Sequence, residues 1–341
     1  MLINSPFFLL ISFLIIITYQ TPLNQKDFQL ELDGKKTDLY FLTNENGAEI
    51  SITNYGGIIV SIMVPNKKNE YDNIVQGYST LYEYLLAQKK GIKLNSLLGR
   101  YSNIIENDEF TLDNKNYKLT KSSYSDFGEK VWTPVQINER ELRLFYTSED
   151  GENGFPGKLH IEVIYTLTNN NELIISYTGI TTKKTVINLS QRLLVNLSGN
   201  NDKKSTIKEH ILELNSKLYL PCNDNKIPLG DIKSVEDTLL DFKIGKKLGE
   251  QKLDNYFILT KNNYNNDKKY GAKLEEKNSG RFMLVDTTEP GLDIFTTENN
   301  ISIEPKHFPN SPNIGFFPST ILNPGDIYIQ KTTYKFGIIN K

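Results

Sequence analysis

A chain of 341 residues has room for one large all-β domain or two ordinary ones, and length alone does not choose between them. With 38% hydrophobic and 23% charged residues it suits a soluble globular protein rather than a disordered or multiply spanning one. A net charge of -2 leaves no basic footprint for nucleic acid or an anionic membrane surface.

The first segment stands apart. Residues 6–19 read PFFLLISFLIIITY, an apolar run without charge, closed by Gln20 and a polar stretch. The run is short for a bilayer span and suits the h-region of a signal peptide, which predicts export. No Lys or Arg precedes it and no A-x-A-like cleavage site follows, so an uncleaved membrane anchor is the alternative. Residues 1–22 are therefore set aside, and 23–341 are expected to form one domain.

From there the chain reads as strands. Residues 81–88 alone invite a short helix. Residues 110–117 (FTLDNKNY) have the apolar–turn–apolar form of a hairpin. Residues 141–147 (ELRLFYT), 160–168 (HIEVIYTLT) and 172–178 (ELIISYT) alternate polar and apolar, the last two joined by Asn169, Asn170 and Asn171 as a turn. Later candidates are 256–260, 281–287, 292–296 and 327–336. Strands never alternate with helices, which argues against a parallel α/β sheet. Regular strands rich in Ile, Thr, Tyr and Phe predict an all-β fold, a large antiparallel β-sandwich. Residues 262–269 (NNYNNDKK) are polar and low in complexity, a surface insertion rather than a linker.

Cys222 is the only cysteine, which rules out an intrachain disulfide and metal sites built on several thiolates. Asn188, Asn196 and Asn300 head N-x-S sequons, which matter only on an exposed surface of an exported chain.

Several longer strings carry a resemblance. They are NYGG at 54–57 with VPN at 64–66, LGRYSN at 98–103, SEDGENGFPG at 148–157, and NLS at 188–190 with NLSG at 196–199. TTEPG at 287–291, EPKHFPNSPN at 304–313 and FPSTILNPG at 317–325 complete the set. In order and over nearly the whole of 50–336, they are similar to the strings of the galactose mutarotase (aldose 1-epimerase) family. The resemblance implies a large antiparallel β-sandwich with an open sugar-binding cleft and no metal or organic cofactor. It also implies a free aldose such as galactose or glucose, or a glycan, as partner, with no nucleic acid. The family's reaction interconverts α and β anomers. A carboxylate takes the proton of the C1 hydroxyl, an acid protonates the ring oxygen, and the opened sugar recloses on its other face. Such work needs a base and an acid with pKa values near working pH.

Carried over by position, the resemblance implies Glu304 as the base. Asn103 and Asp254 fall on sugar-ligand positions, Asp254 alternatively being a turn residue before a strand. Departures are several. The family's acid His falls on Arg192, a guanidinium that stays protonated and cannot shuttle a proton at neutral pH. The family's E-T-Q is Glu304-Pro305-Lys306, its N-R-I ends in Ile104, and the Gln after its T-E-P-G-L is Asp293, which brings a charge into the cleft. None of His160, His210 and His307 falls on a catalytic position of the family. The set thus predicts impaired anomer exchange with sugar binding retained; the alternative is a secreted, non-catalytic sugar-binding or interaction protein. A sugar-phosphate epimerase, with Arg192 and nearby lysines on phosphate, ranks third.

Overall fold

The computed structural model describes residues 23–120, 123–199, 206–260 and 269–339. The apolar leader lies outside them, as does nearly all of the low-complexity stretch. Nine antiparallel strands form the largest sheet, in the spatial order Thr133–Asn138, Glu141–Ser148, Leu159–Leu167, Glu172–Thr181, Tyr328–Ile338, Arg281–Thr287, Ala272–Glu275, Ile211–Leu214 and Lys246–Lys247. Alternation explains why these segments sit here. In Leu159–Leu167 every second residue, from Leu159 through Ile161, Val163 and Tyr165 to Leu167, is buried, while His160 between them is exposed. A register slip of one residue would turn all five outward, at a cost of about 1.5–3 kcal/mol for each large side chain exposed.

A four-stranded sheet (Leu39–Thr43, Glu49–Thr53, Ile58–Pro65, Tyr71–Asn73) and a five-stranded sheet complete the sandwich. The five-stranded sheet runs Lys233–Ser234, Ser216–Leu220, then β1 (Asp254–Leu259), β2 (Gly291–Thr296) and β3 (Ile301–Lys306). One apolar cluster draws on all three sheets, with Val163 and Val285 from the first, Ile50 and Ile62 from the second, and Phe257, Ile294 and Ile303 from the third. The single α-helix of the described residues, α1 (Leu81–Lys89), starts where Thr80 and Glu83 cap each other's backbone amides. No helix of the described residues is long and apolar enough to cross a membrane.

Two of the sequence strings prove to be one structural joint. Arg100 is buried and donates to the carbonyls of Pro156 (3.1 Å) and Gly157 (2.9 Å) and to Ser148 Oγ (2.5 Å). It thereby pins the 148–157 loop to the 98–103 segment. Gly154 lets the same loop lie against the backbone at Lys118: its φ is +91°, and a Cβ there would lie 2.2 Å from the Lys118 carbonyl oxygen. The three sequon asparagines are also structural. Asn188, Asn196 and Asn300 are buried; Asn196 and Asn300 donate to Asn299 O and Gln76 Oε1, and Asn188 Oδ1 accepts from His307 N.

Candidate functional site

Cross-strand register assembles the site. On β1, β2 and β3, Asp254 lies opposite Phe295 and Phe295 opposite Ser302, while Tyr256 lies opposite Asp293 and Asp293 opposite Glu304. Directly paired residues point to the same side of a sheet, and so do residues two apart on one strand. Ser302, Glu304 and Lys306 therefore share a face with Asp293, Phe295 and Asp254.

Arg192 arrives from a neighbouring segment. Ser190–Gln191 pairs with Leu97–Leu98, Arg192 N donates to Ser96 O, and Val195 N donates to Ile301 O on β3. This lays the guanidinium over Glu304. Arg192 Nε donates to Glu304 Oε1 at 2.7 Å, and its guanidinium carbon lies 5.1 Å from the centroid of the Phe295 ring. Ser302 Oγ donates to the same carboxylate oxygen at 3.1 Å. The second oxygen, Oε2, accepts from Lys306 Nζ at 2.8 Å, and Lys306 Nζ also contacts Asp293 Oδ2 at 2.7 Å.

Burial alone would push the Glu304 carboxyl up, but the Arg192 and Lys306 charges outweigh it and hold the group down to about 2. Burial pushes Asp293 up, with Lys306 opposing. Burial would lower the Lys306 ammonium, yet the Asp293 and Glu304 carboxylates raise it.

A cleft of about 310 Å³ opens beside this cluster, its walls including Asn103, Ile104, Arg192, Asp254, Asp293 and Lys306. Glu304 is not on that wall. Its side chain is 0% exposed, covered by Arg192 at 19% and Lys306 at 4%. Asp254 stands at the mouth, exposed and bonded to Lys226 at 2.5 Å. It is the first residue of β1. Asn103 also bonds backbone atoms: its Nδ2 donates to His307 O and its Oδ1 accepts from Ile104 N. Phe295 and Lys226 lie outside the matching sequence strings, and Lys306 stands in them only as a departure beside the base. The alternation of residues 302, 304 and 306 on a strand was the signal available for Lys306.

The histidines lie away from the cleft wall. His210 sits one residue before its strand, buried, with Nε2 accepting from Leu197 N. His307 Nδ1 meets Glu289 Oε2 at 2.5 Å, and exposed His160 bonds Thr147. Among the described residues no cluster of His, Cys, Asp and Glu is arranged to hold a metal ion.

The aldose 1-epimerase family model matches residues 38–335. The chain belongs to the aldose 1-epimerase family. Galactose mutarotase from Mus musculus is 28% identical over 87% of this chain and 94% of its own length. Aldose 1-epimerase from Escherichia coli is 26% identical over 89% and 96%. A GalM/aldose epimerase homologue from C. elegans superposes with a TM-score of 0.81 at 24% identity, covering 89% of this chain and 100% of that one. Within this aldose 1-epimerase fold, the cluster on β2 and β3 is the place where charged groups and an open cleft meet. Each cation at the cleft bonds a carboxylate: Lys226 to Asp254, Arg192 to Glu304, and Lys306 to both Asp293 and Glu304. The wall is rich in charges yet balanced, with apolar surface from Ile104, Phe295 and Pro309.

Proposed function

We propose that this family member binds a free hexose such as galactose or glucose in the cleft and exchanges its anomers at a markedly impaired rate. The observation that carries the reading is the pairing of Glu304 with Arg192. The carboxylate in the base position is buried under a permanent cation and held far below the pKa at which a general base works best at neutral pH. A guanidinium does not give up a proton to the ring oxygen, so it supplies charge stabilisation but not acid catalysis. Loss of general-acid assistance alone costs about 10²–10⁴-fold. Hydroxyl-binding groups remain, in the Asp254 carboxylate at the mouth and Asp293 on the wall. The balanced charge favours an uncharged sugar over a sugar phosphate, since each cation is already bonded to a carboxylate. The apolar leader at 6–19 supports a secretory setting, which mass spectrometry of the mature N-terminus tests.

The functional test is the rate of α-to-β conversion of galactose and glucose, followed by polarimetry or NMR, with and without purified protein. A small protein-dependent rate together with saturable sugar binding is expected. A full epimerase rate that Glu304→Gln abolishes would overturn the impairment. Absence of both exchange and sugar binding would favour the second reading, a secreted interaction protein on this scaffold.

A further inference from the structure

We infer that Lys306 is a charge lock on this cleft, a positioning residue that ties Asp293 to Glu304 and keeps Glu304 beneath the cleft surface, out of reach of a bound sugar. The inference rests on the sugar-binding reading above and adds a second, separate cause of impairment to Arg192. It stands on four observations. Glu304 and Lys306 are two apart on β3 and point the same way, and Asp293 is the direct cross-strand partner of Glu304. The Lys306 ammonium bonds both carboxylates, at 2.7 and 2.8 Å. Lys306 lines the cleft while Glu304, 0% exposed, does not, and the lysine holds Glu304 Oε2. Tyr256 Oη, from β1, donates to the Lys306 carbonyl at 2.6 Å and holds that strand end in place.

Two carboxylates this close repel, and without the cation between them the pair would hold a proton more tightly. Lys306 opposes that by bonding both. The same bonds disqualify Lys306 as the missing acid. Two of its three N–H donors are taken by carboxylates, and those two anions hold it charged. Ser302 and Arg192 close the other carboxylate oxygen, so three donors from two chain segments engage Glu304.

The test follows the Glu304 carboxyl carbon by NMR as pH is lowered, in the full chain and in Lys306→Gln and Lys306→Met, with anomer exchange measured alongside. In the unmodified protein the Glu304 signal is expected to stay flat down to about pH 3.5; a midpoint in the ordinary glutamate range of about 4.3 would overturn the lock, whether or not either variant folds. In the variants the midpoint is expected to rise by about one pH unit or more, with protein-dependent exchange up about tenfold. A midpoint that does not move, or an exchange rate that falls, would overturn the proposal, the second because it would make Lys306 the proton donor. These titrations do not depend on activity. A fully active native protein would sink the impaired-function reading, while the Glu304 signal would still decide the lock.

Discussion

Asp293 and Glu304 stand opposite each other on β2 and β3, and one ammonium, that of Lys306, bonds both carboxylates. Breaking one member of such a buried set leaves its partners charged and unpaired. Glu304→Gln keeps the shape but replaces one acceptor oxygen with an NH2 that faces Arg192 or Lys306, leaves both cations beside a neutral group, and is expected to lower stability by roughly 3–5 kcal/mol. Urea unfolding at pH 7 measures this. Because the folded-state pKa of Glu304 is depressed, to about 2, its stabilising contribution is full above the unfolded value near 4.3 and is lost as pH falls from there toward the folded value. The Gln variant is expected to lose less stability than the native chain across that acid window.

Asp254 offers the opposite case. Its ion pair with Lys226 is exposed, the two side chains being 59% and 43% accessible, so solvent screens it. Asp254→Asn is expected to change stability by less than about 1 kcal/mol. If the carboxylate accepts hydrogen bonds from sugar hydroxyls, the same change weakens galactose or glucose binding about tenfold, since a hydrogen bond to a charged group contributes about 1.5–3 kcal/mol. Calorimetric titration of the native and variant chains separates the two effects. Unchanged affinity would remove Asp254 from the binding surface.

Much of this architecture was readable before any coordinates. Alternation in 160–168 and 172–178 located two adjacent strands of the large sheet, and the helix expected at 81–88 appears as Leu81–Lys89. Local pattern sufficed because each of these elements buries one face or one stripe of its own sequence. The site was legible only as positions. That Asp293 lies opposite Glu304 depends on the register across the turn between β2 and β3, which local pattern does not specify. That Arg192 bonds Glu304 depends on a segment more than one hundred residues away in the chain. Asn103, singled out by its place in a matching string, lies on the cleft wall, and the string gives no sign that its amide also bonds backbone atoms at 104 and 307.

Arg100 tests whether one of the strings is structural. Its guanidinium reaches the carbonyls of Pro156, Gly157, Ser148 and Glu149 and the Ser148 hydroxyl from a buried position, a planar fork that an ammonium cannot reproduce. Arg100→Lys is expected to cost about 2–4 kcal/mol through carbonyls left without donors. The 148–157 loop is expected to become the first site of limited proteolysis, while the sugar affinity of the folded fraction holds. An equal loss of affinity would mean that the joint also shapes the cleft.

His210 makes the protein sensitive to mild acid. Burial lowers its pKa to about 4, the nearby Glu276 charge opposing, and the Leu197 amide donates to its Nε2, which requires the neutral ring. A histidine depressed in the folded state contributes stability that is fully present above its unfolded value near 6.5. That contribution is lost as pH falls through the interval down to about 4, because the unfolded chain takes up the proton first. The slope is at most about 1.4 kcal/mol per pH unit for one group. Urea midpoints measured from pH 7.5 to 4.5 are therefore expected to fall steadily. In His210→Gln, which retains an acceptor for the Leu197 amide but does not titrate, the pH 7.5 stability drops through imperfect packing while the decline over this interval flattens. A native chain whose stability is constant from pH 7 to 5 would show that His210 is not buried in its neutral form.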